Sequence, residues 1–222
     1  MFEKLHRATA KLIYLERALW LAGALLLGWT ARTWVDAAQF QERGRELIAS
    51  QPVAPDAPAD TPADAPVVVR PADGEAFAAL TIPRLGVDVV VAEGTSPETL
   101  NRAAGRIAAS SFPGDGGNVA IAAHRDSFFR PLQSIEAGDL AVLRGAFGER
   151  RYRVEWTRIV DPHEVEVVAP TPYPALTLVT CYPFGYVGSA PRRFIVRARI
   201  VDEAGMFAPE TASMETAFGP AV

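Results

Sequence analysis

The sequence predicts a mainly β fold, closed or nearly closed into a barrel, for the larger part of the chain. Three observations carry this expectation. Between residues 73 and 202, short apolar runs recur at regular spacing with turn signals between them and few helical stretches. Within that window "RYRVEWTRIV" alternates, with Tyr152, Val154 and Trp156 on one face and Arg151, Arg153 and Glu155 on the other. The segments ahead of it have a different texture, one apolar and one proline-rich, so the strands belong to a single domain.

Composition agrees with a globular domain carrying extra segments. The chain has 222 residues, 49% hydrophobic and 22% charged, with a net charge of −4. A mildly acidic balance without lysine blocks excludes a nucleic-acid partner; Lys4 and Lys11 are the only lysines.

From Ala18 to Val35, "ALWLAGALLLGWTARTWV" is apolar except for Arg32, with Trp20, Trp29 and Trp34 spaced as interface anchors. The uncharged stretch before Arg32 is shorter than the roughly 20 residues a span prefers. Arg32 sits near the end and can snorkel, so the segment extends to Val35. Lys4, Arg7, Lys11 and Arg17 form a positive flank that stays cytoplasmic. A cleavable signal peptide is the rival, but Val35 and Asp36 make "WVDAAQF" a poor cleavage site. The expectation is a retained single-pass anchor in the cell membrane with everything after it outside the cytoplasm. A helical stub follows over residues 36–50. Residues 51–72 then form a linker with prolines 52, 55, 58, 62, 66 and 71 interleaved with aspartates, an extended spacer that cannot bury a core.

Inside the domain, "LTIPRLGVDVVV" reads as two extended runs around a turn at Arg84-Leu85-Gly86. Ser96-Pro97 opens a helix, the serine as N-cap and the proline at the first helical position. "FPGDGGN" is a loop, and "NVAIAAH" a strand that ends at His124. "EVEVVAP", "ALTLVTC" and "RRFIVRARIV" continue the strand pattern, and the tail over 203–222 has little pattern of its own.

Cys181 is the only cysteine, so no intrachain disulfide exists. It is a buried small hydrophobe, half of an intermolecular disulfide, or a nucleophile that needs a base or cationic surroundings to ionise. Its place at the end of "ALTLVTC", where the chain turns out of the sheet, favours the nucleophile. Of three histidines, His6 is on the cytoplasmic side of the anchor and His163 reads as an exposed turn residue. His124, at another strand end, completes a Cys–His dyad if the two rims meet. Arg192 and Arg193 open the next strand and can serve a developing oxyanion. Consecutive strand residues face opposite ways, and Arg193 is the one on the polar face with Arg197 and Arg199.

These residues carry a resemblance. "TLVTC" matches the TLxTC signature of the sortases, "AAHRDSFF" resembles their histidine segment, and "SAPRRFIVRA" resembles their arginine-bearing strand. The full runs are most similar to class D sortases over residues 80 to 201. Ala123 departs from the pattern, which more often has glycine before the histidine; an ordinary backbone angle leaves the chemistry intact.

The resemblance implies a sortase-type eight-stranded barrel with short helices, the catalytic domain spanning 73–202. It implies a cysteine transpeptidase that cuts an LPxTG-like sorting signal and transfers the protein to an amine from a cell-wall precursor or a pilin lysine. Cys181 would be the nucleophile, His124 the general acid and then base, and Arg193 the group holding substrate backbone and oxyanion. No cofactor or metal is implied; some sortases order a loop with calcium, but the sequence shows no acidic cluster for it. The alternative is a catalytically inactive, membrane-tethered binding module. "HRD" also occurs in kinase catalytic loops, but Pro131 stands where those need asparagine and no Gly-rich phosphate loop precedes it. The peptidoglycan-crosslinking cysteine transpeptidases carry their cysteine in a Ser-His-Gly-Cys context that Thr180-Cys181 does not match.

Overall fold

A computed structural model describes residues 2–51, 70–202 and 205–207, so most of the proline-rich linker and of the C-terminal tail lies outside it. The chain forms two compact units, residues 1–39 and 40–222. Helix α1 runs Phe2–Ser50. Along the expected anchor Trp20, Leu25, Leu27, Trp29 and Trp34 are each at least 70% exposed. Among the described residues no helix is long and apolar enough to cross a membrane.

The second unit is a closed barrel of eight strands: β1 (Ala76–Ile82), β2 (Val87–Glu93), β3 (Ala104–Arg106), β4 (Asn118–Ala122), β5 (Leu140–Gly145), β6 (Gly148–Val160), β7 (Ala175–Tyr182) and β8 (Arg192–Val201). Their order around the barrel is β1-β2-β3-β4-β7-β8-β6-β5, with β5 pairing back onto β1. The β2–β3 and β4–β7 pairs are parallel and the rest antiparallel. The first two strands are joined by a 3-10 turn at Pro83–Leu85, ended by Gly86 at φ 63°, a left-handed angle that glycine adopts freely. A short helix, α2 (Pro97–Arg102), starts as expected: the Ser96 side chain accepts from the Thr99 N–H, and Pro97 occupies the first turn.

Period-two alternation sends Leu80, Val89, Ile121, Leu143, Leu178 and Val196 to the interior, each no more than 1% exposed. Burying each such side chain contributes about 1.5–3 kcal/mol. Phe129 and Leu132, from the segment between β4 and β5, pack into the same core. At the start of β5, Asp139 accepts from Arg84 Nε and from Arg84 Nη2 (2.6 Å), and from the Glu136 N–H (2.8 Å). The Arg84 guanidinium, followed by that backbone hydrogen bond, holds the Asp139 carboxyl below its usual range.

The last turns of α1 belong to this unit. Gln41 accepts from the Val90 N–H (2.9 Å) and donates to the Arg102 carbonyl (2.8 Å), filling hydrogen bonds that β3 is too short to reach. Phe40 lies under the Arg102 guanidinium at 4.5 Å, and Ile48 is buried. A Cβ on Gly44 would stand 2.8 Å from a Val90 methyl, so glycine sets how closely the helix approaches β2.

Two sequence expectations need correction. The alternation of β6 does not run through: a register shift between Val154 and Trp156 opposite β8 leaves Tyr152 and Val154 in the core but turns Trp156 to the outer face, opposite Arg197. A bulge adds one residue, and one residue inverts the face of everything after it. The expected strand in "EVEVVAP" is a 3-10 turn, Val165–Val168, with Val165 70% exposed. Its carbonyls bond to side chains of the barrel instead of to a neighbouring strand, as described next.

Candidate active site

The chemistry-bearing residues lie on three adjacent strands, β4, β7 and β8. Parallel pairing sets Asn118 opposite Ala175 and Ala122 opposite Val179. Backbone and side chain continue the register past that pair: the Ala123 N–H donates to the Val179 carbonyl (3.2 Å), and Thr180 Oγ1 donates to the Ala123 carbonyl (2.8 Å). One residue further, the same offset brings His124 level with Cys181. On the other flank of β7, Cys181 is opposite Arg193 and Tyr182 opposite Arg192.

Residues directly opposite one another share a face. Leu176, Leu178 and Thr180 are opposite Ala198, Val196 and Phe194 and share the inner face with the core. Ala175, Thr177, Val179 and Cys181, opposite Arg199, Arg197, Ile195 and Arg193, form the outer face. Cys181 and Arg193 therefore lie on the same side of the sheet, and Arg192 on the other, where it is exposed.

One end of this outer face is sealed by the connection between β6 and β7. Asn118 Nδ2 donates to the carbonyls of Val167 (3.3 Å) and Ala169 (3.0 Å), while its Oδ1 accepts from Thr177 Oγ1 (2.6 Å). Arg197 Nη2 donates to the Val167 carbonyl (2.8 Å), and its guanidinium lies 5.4 Å from the Trp156 ring centroid. Burial lowers the pKa of Arg197 from its ordinary value. At the other end Ala122, His124, Val179, Cys181 and Arg193 are only half-buried, leaving an open stretch of sheet.

The open end is braced from beneath by aromatic rings. Phe184 packs edge-on against Phe194 at 5.4 Å and against Tyr182 at 6.2 Å. Arg193 Nη1 donates to the carbonyls of Arg192 (3.0 Å) and Ala190 (3.3 Å), which holds its guanidinium beside the β7–β8 connection. Among the described residues the side chains of Cys181 and His124 make no hydrogen bond, to each other or to a third group. Register brings the two level with one another at the strand ends. His163 is in an exposed turn three residues past the end of β6, whose last residue, Val160, is opposite Arg193, and His6 lies in α1.

A thiol, an imidazole and a guanidinium on one face, over a half-covered sheet, suit attack on a carbonyl. No group of three or more His, Cys, Asp or Glu side chains that could hold a metal ion occurs among the described residues. Sequence reasoning passed over Arg125, whose Nη2 donates to the carbonyls of Tyr186 and Gly188, both at 2.8 Å. Its only signal was adjacency to His124, because backbone carbonyl partners sixty residues away leave no trace in side-chain pattern.

Comparison with known proteins matches the barrel. The family model described as "Sortase domain" covers residues 80–201. Sortase D of Bacillus subtilis (strain 168) is 34% identical over 133 residues, 60% of this chain and 67% of that protein. Among solved structures, a Clostridium perfringens Sortase D5 transpeptidase superposes with a TM-score of 0.55 at 25% identity, covering 60% of this chain and 83% of that one. Sortase C from Clostridium perfringens SM101 gives 0.53 at 25%, covering 60% and 73%. Listeria monocytogenes sortase A, 23% identical, shares the fold with a TM-score of 0.53 over 57% of this chain and 88% of that one.

Proposed function

The chain belongs to the sortase family of cysteine transpeptidases, most like class D, and on that premise we propose that it is a membrane-anchored enzyme acting on LPxTG-like sorting signals through Cys181, His124 and Arg193. In this reading an extended peptide lies along the open end of the outer face. The Cys181 sulfur attacks the threonine carbonyl as its proton passes to His124, and the Arg193 guanidinium stabilises the oxyanion as it forms. The peptide C–N bond breaks, and the leaving amine takes a proton from His124. An acceptor amine, from a cell-wall precursor or a pilin lysine, then attacks the thioester carbonyl. It gives its proton to His124, which returns it to the sulfur as the C–S bond breaks to free the thiol.

The observation that supports these roles is the β4–β7–β8 register: Cys181 is opposite Arg193, and the β4–β7 offset extended two residues past Ala122 puts His124 level with Cys181. Arg193 Nη1 is engaged by loop carbonyls, while Nε and Nη2 have no hydrogen-bond partner among the described residues. That leaves one edge of the guanidinium for the substrate.

Anchoring rests on residues 18–35. Their large apolar side chains are turned outward, and Lys4, Arg7, Lys11 and Arg17 precede them. Arg32 and three tryptophans dilute the hydropathy of this segment, yet these are residue types that a bilayer holds at its interface. The barrel then works outside the cytoplasm.

Incubation with a sorting-signal peptide library, followed by trapping and mass spectrometry, tests the proposal. The expected result is a thioester adduct on Cys181 that an added amine releases. An adduct on another residue, or a thiol inert until the protein is denatured, overturns it, the latter in favour of the binding-module alternative.

A further inference from the structure

We propose that Arg125 is a positioning residue that clamps the β7–β8 connection to the histidine end of β4 and so sets the shape of the open groove. The inference rests on the site reading above and goes beyond it. Residues 183–191 follow Cys181 by two positions and lead into Arg193 by two, so any shift of this connection acts on both flanks of the proposed site. The connection has little to hold it. Among the described residues its internal backbone bonding is a single long contact, Tyr186 N–H to the Pro183 carbonyl at 3.4 Å. Val187 is 94% exposed, and Arg193 Nη1 reaches the Ala190 carbonyl at 3.3 Å.

Against that background the Arg125 fork is the stronger tie. Its Nη2 donates at 2.8 Å to both the Tyr186 and the Gly188 carbonyl, straddling the tip, and its guanidinium carbon stands 5.8 Å from the centroid of the Tyr186 ring. A guanidinium is suited to this because one planar group can bond two carbonyls and face a ring at once. The clamp comes from the residue next to His124, so it couples the histidine strand end directly to the cysteine–arginine loop. Its Nη1 is buried with no hydrogen-bond partner among the described residues. The spare donor gives the clamp a second arrangement to adopt when a peptide, rich in backbone carbonyls, enters the groove.

The test uses the full chain with Arg125→Met, which keeps a flexible stem but no donors, and Arg125→Lys, which keeps charge and a single donor group. Hydrogen exchange of residues 183–191, Cys181 alkylation by iodoacetamide and steady-state kinetics on a sorting-signal peptide are measured for each. In Arg125→Met the loop amides exchange at least tenfold faster, and KM rises about tenfold with a smaller change in kcat. Alkylation of Cys181 is not slowed, and Arg125→Lys restores part of each effect. Arg130→Met, an exposed arginine in the same segment, changes none of them. Unchanged loop exchange, or a fall in kcat with KM intact, overturns the proposal. If Arg125→Met does not fold, the Lys variant decides on the same readouts. Loop exchange is read without turnover, so a wrong assignment of Cys181 or His124 leaves this test standing.

Discussion

The outer face of β4, β7 and β8 has two ends built from similar materials and used in opposite ways. At the sealed end, Asn118, Thr177 and Arg197 are buried, and each is hydrogen-bonded to a carbonyl of the overlying connection or to the other. At the open end, His124 and Cys181 are half-buried and hydrogen-bond to nothing among the described residues. Polar groups whose bonds are satisfied stabilise the fold; polar groups left unsatisfied on the same face are available to a substrate. Substitutions should therefore trade activity against stability according to which end they touch.

The sharpest separation is expected at the sulfur. Cys181→Ala abolishes both peptide hydrolysis and transfer while the melting temperature stays within a degree or two of the parent. Transfer well above background in this variant would falsify the nucleophile assignment. His124→Ala comes next, with about a hundred- to ten-thousand-fold lost in kcat, the usual weight of general acid–base catalysis. His163→Ala, in its exposed turn, is close to neutral, and the reverse ranking would sink the dyad.

Arg193→Lys sharpens the comparison within a single strand. It is expected to cost at least tens-fold in kcat/KM, about 2 kcal/mol of transition-state stabilisation, while Arg192→Lys, on the other face, costs little. Equal losses at the two positions would show that face does not decide the role. At the sealed end the order inverts. Asn118→Ala strands the Ala169 carbonyl and the Thr177 hydroxyl and leaves the Val167 carbonyl to Arg197 alone, so it lowers stability by about 1–3 kcal/mol. Chemical denaturation reads that loss, and kcat falls less than tenfold unless the β6–β7 connection lifts away.

The smallest effect concerns pH. The folded state holds Asp139 ionised below the usual carboxylate range, so the unfolded chain takes up its proton first as pH falls. The stabilisation is present above the ordinary carboxylate pKa and is lost as pH drops through the lower, folded value. Asp139→Asn should therefore melt a few degrees lower at neutral pH and lose less on acidification to about pH 3. A parallel acid dependence in the two proteins would show that this carboxylate does not contribute to acid unfolding.

How much was legible follows from where the information sits. Alternation along "ALTLVTC" and "RRFIVRARIV" revealed both strands, and parity alone separated Arg193 from Arg192 as the ladder does. Ser96 and Pro97 announced α2 because a cap is a local device. Trp156 was misassigned because a bulge is an event between strands; nothing in "VEW" records that Glu155 goes unpaired against β8. "EVEVVAP" misled for a similar reason. Its valines alternate, but its carbonyls are claimed by Asn118 and Arg197, residues 49 and 30 positions away. The fork of Arg125 was invisible because its partners are main-chain oxygens, which every residue possesses.

The docking of Phe40–Ser50 onto β2 changes what the proline-rich stretch does. Residues on both its sides belong to one compact unit, so the fold itself fixes where the stretch begins and ends. Its length then enters stability only through closure entropy, where a doubling costs roughly 0.6 kcal/mol. Insertions, deletions and exchanges of its proline and alanine content should be tolerated without moving the barrel. Even a chain cut there should remain a paired complex, its two fragments joined by Gln41, Gly44 and Ile48.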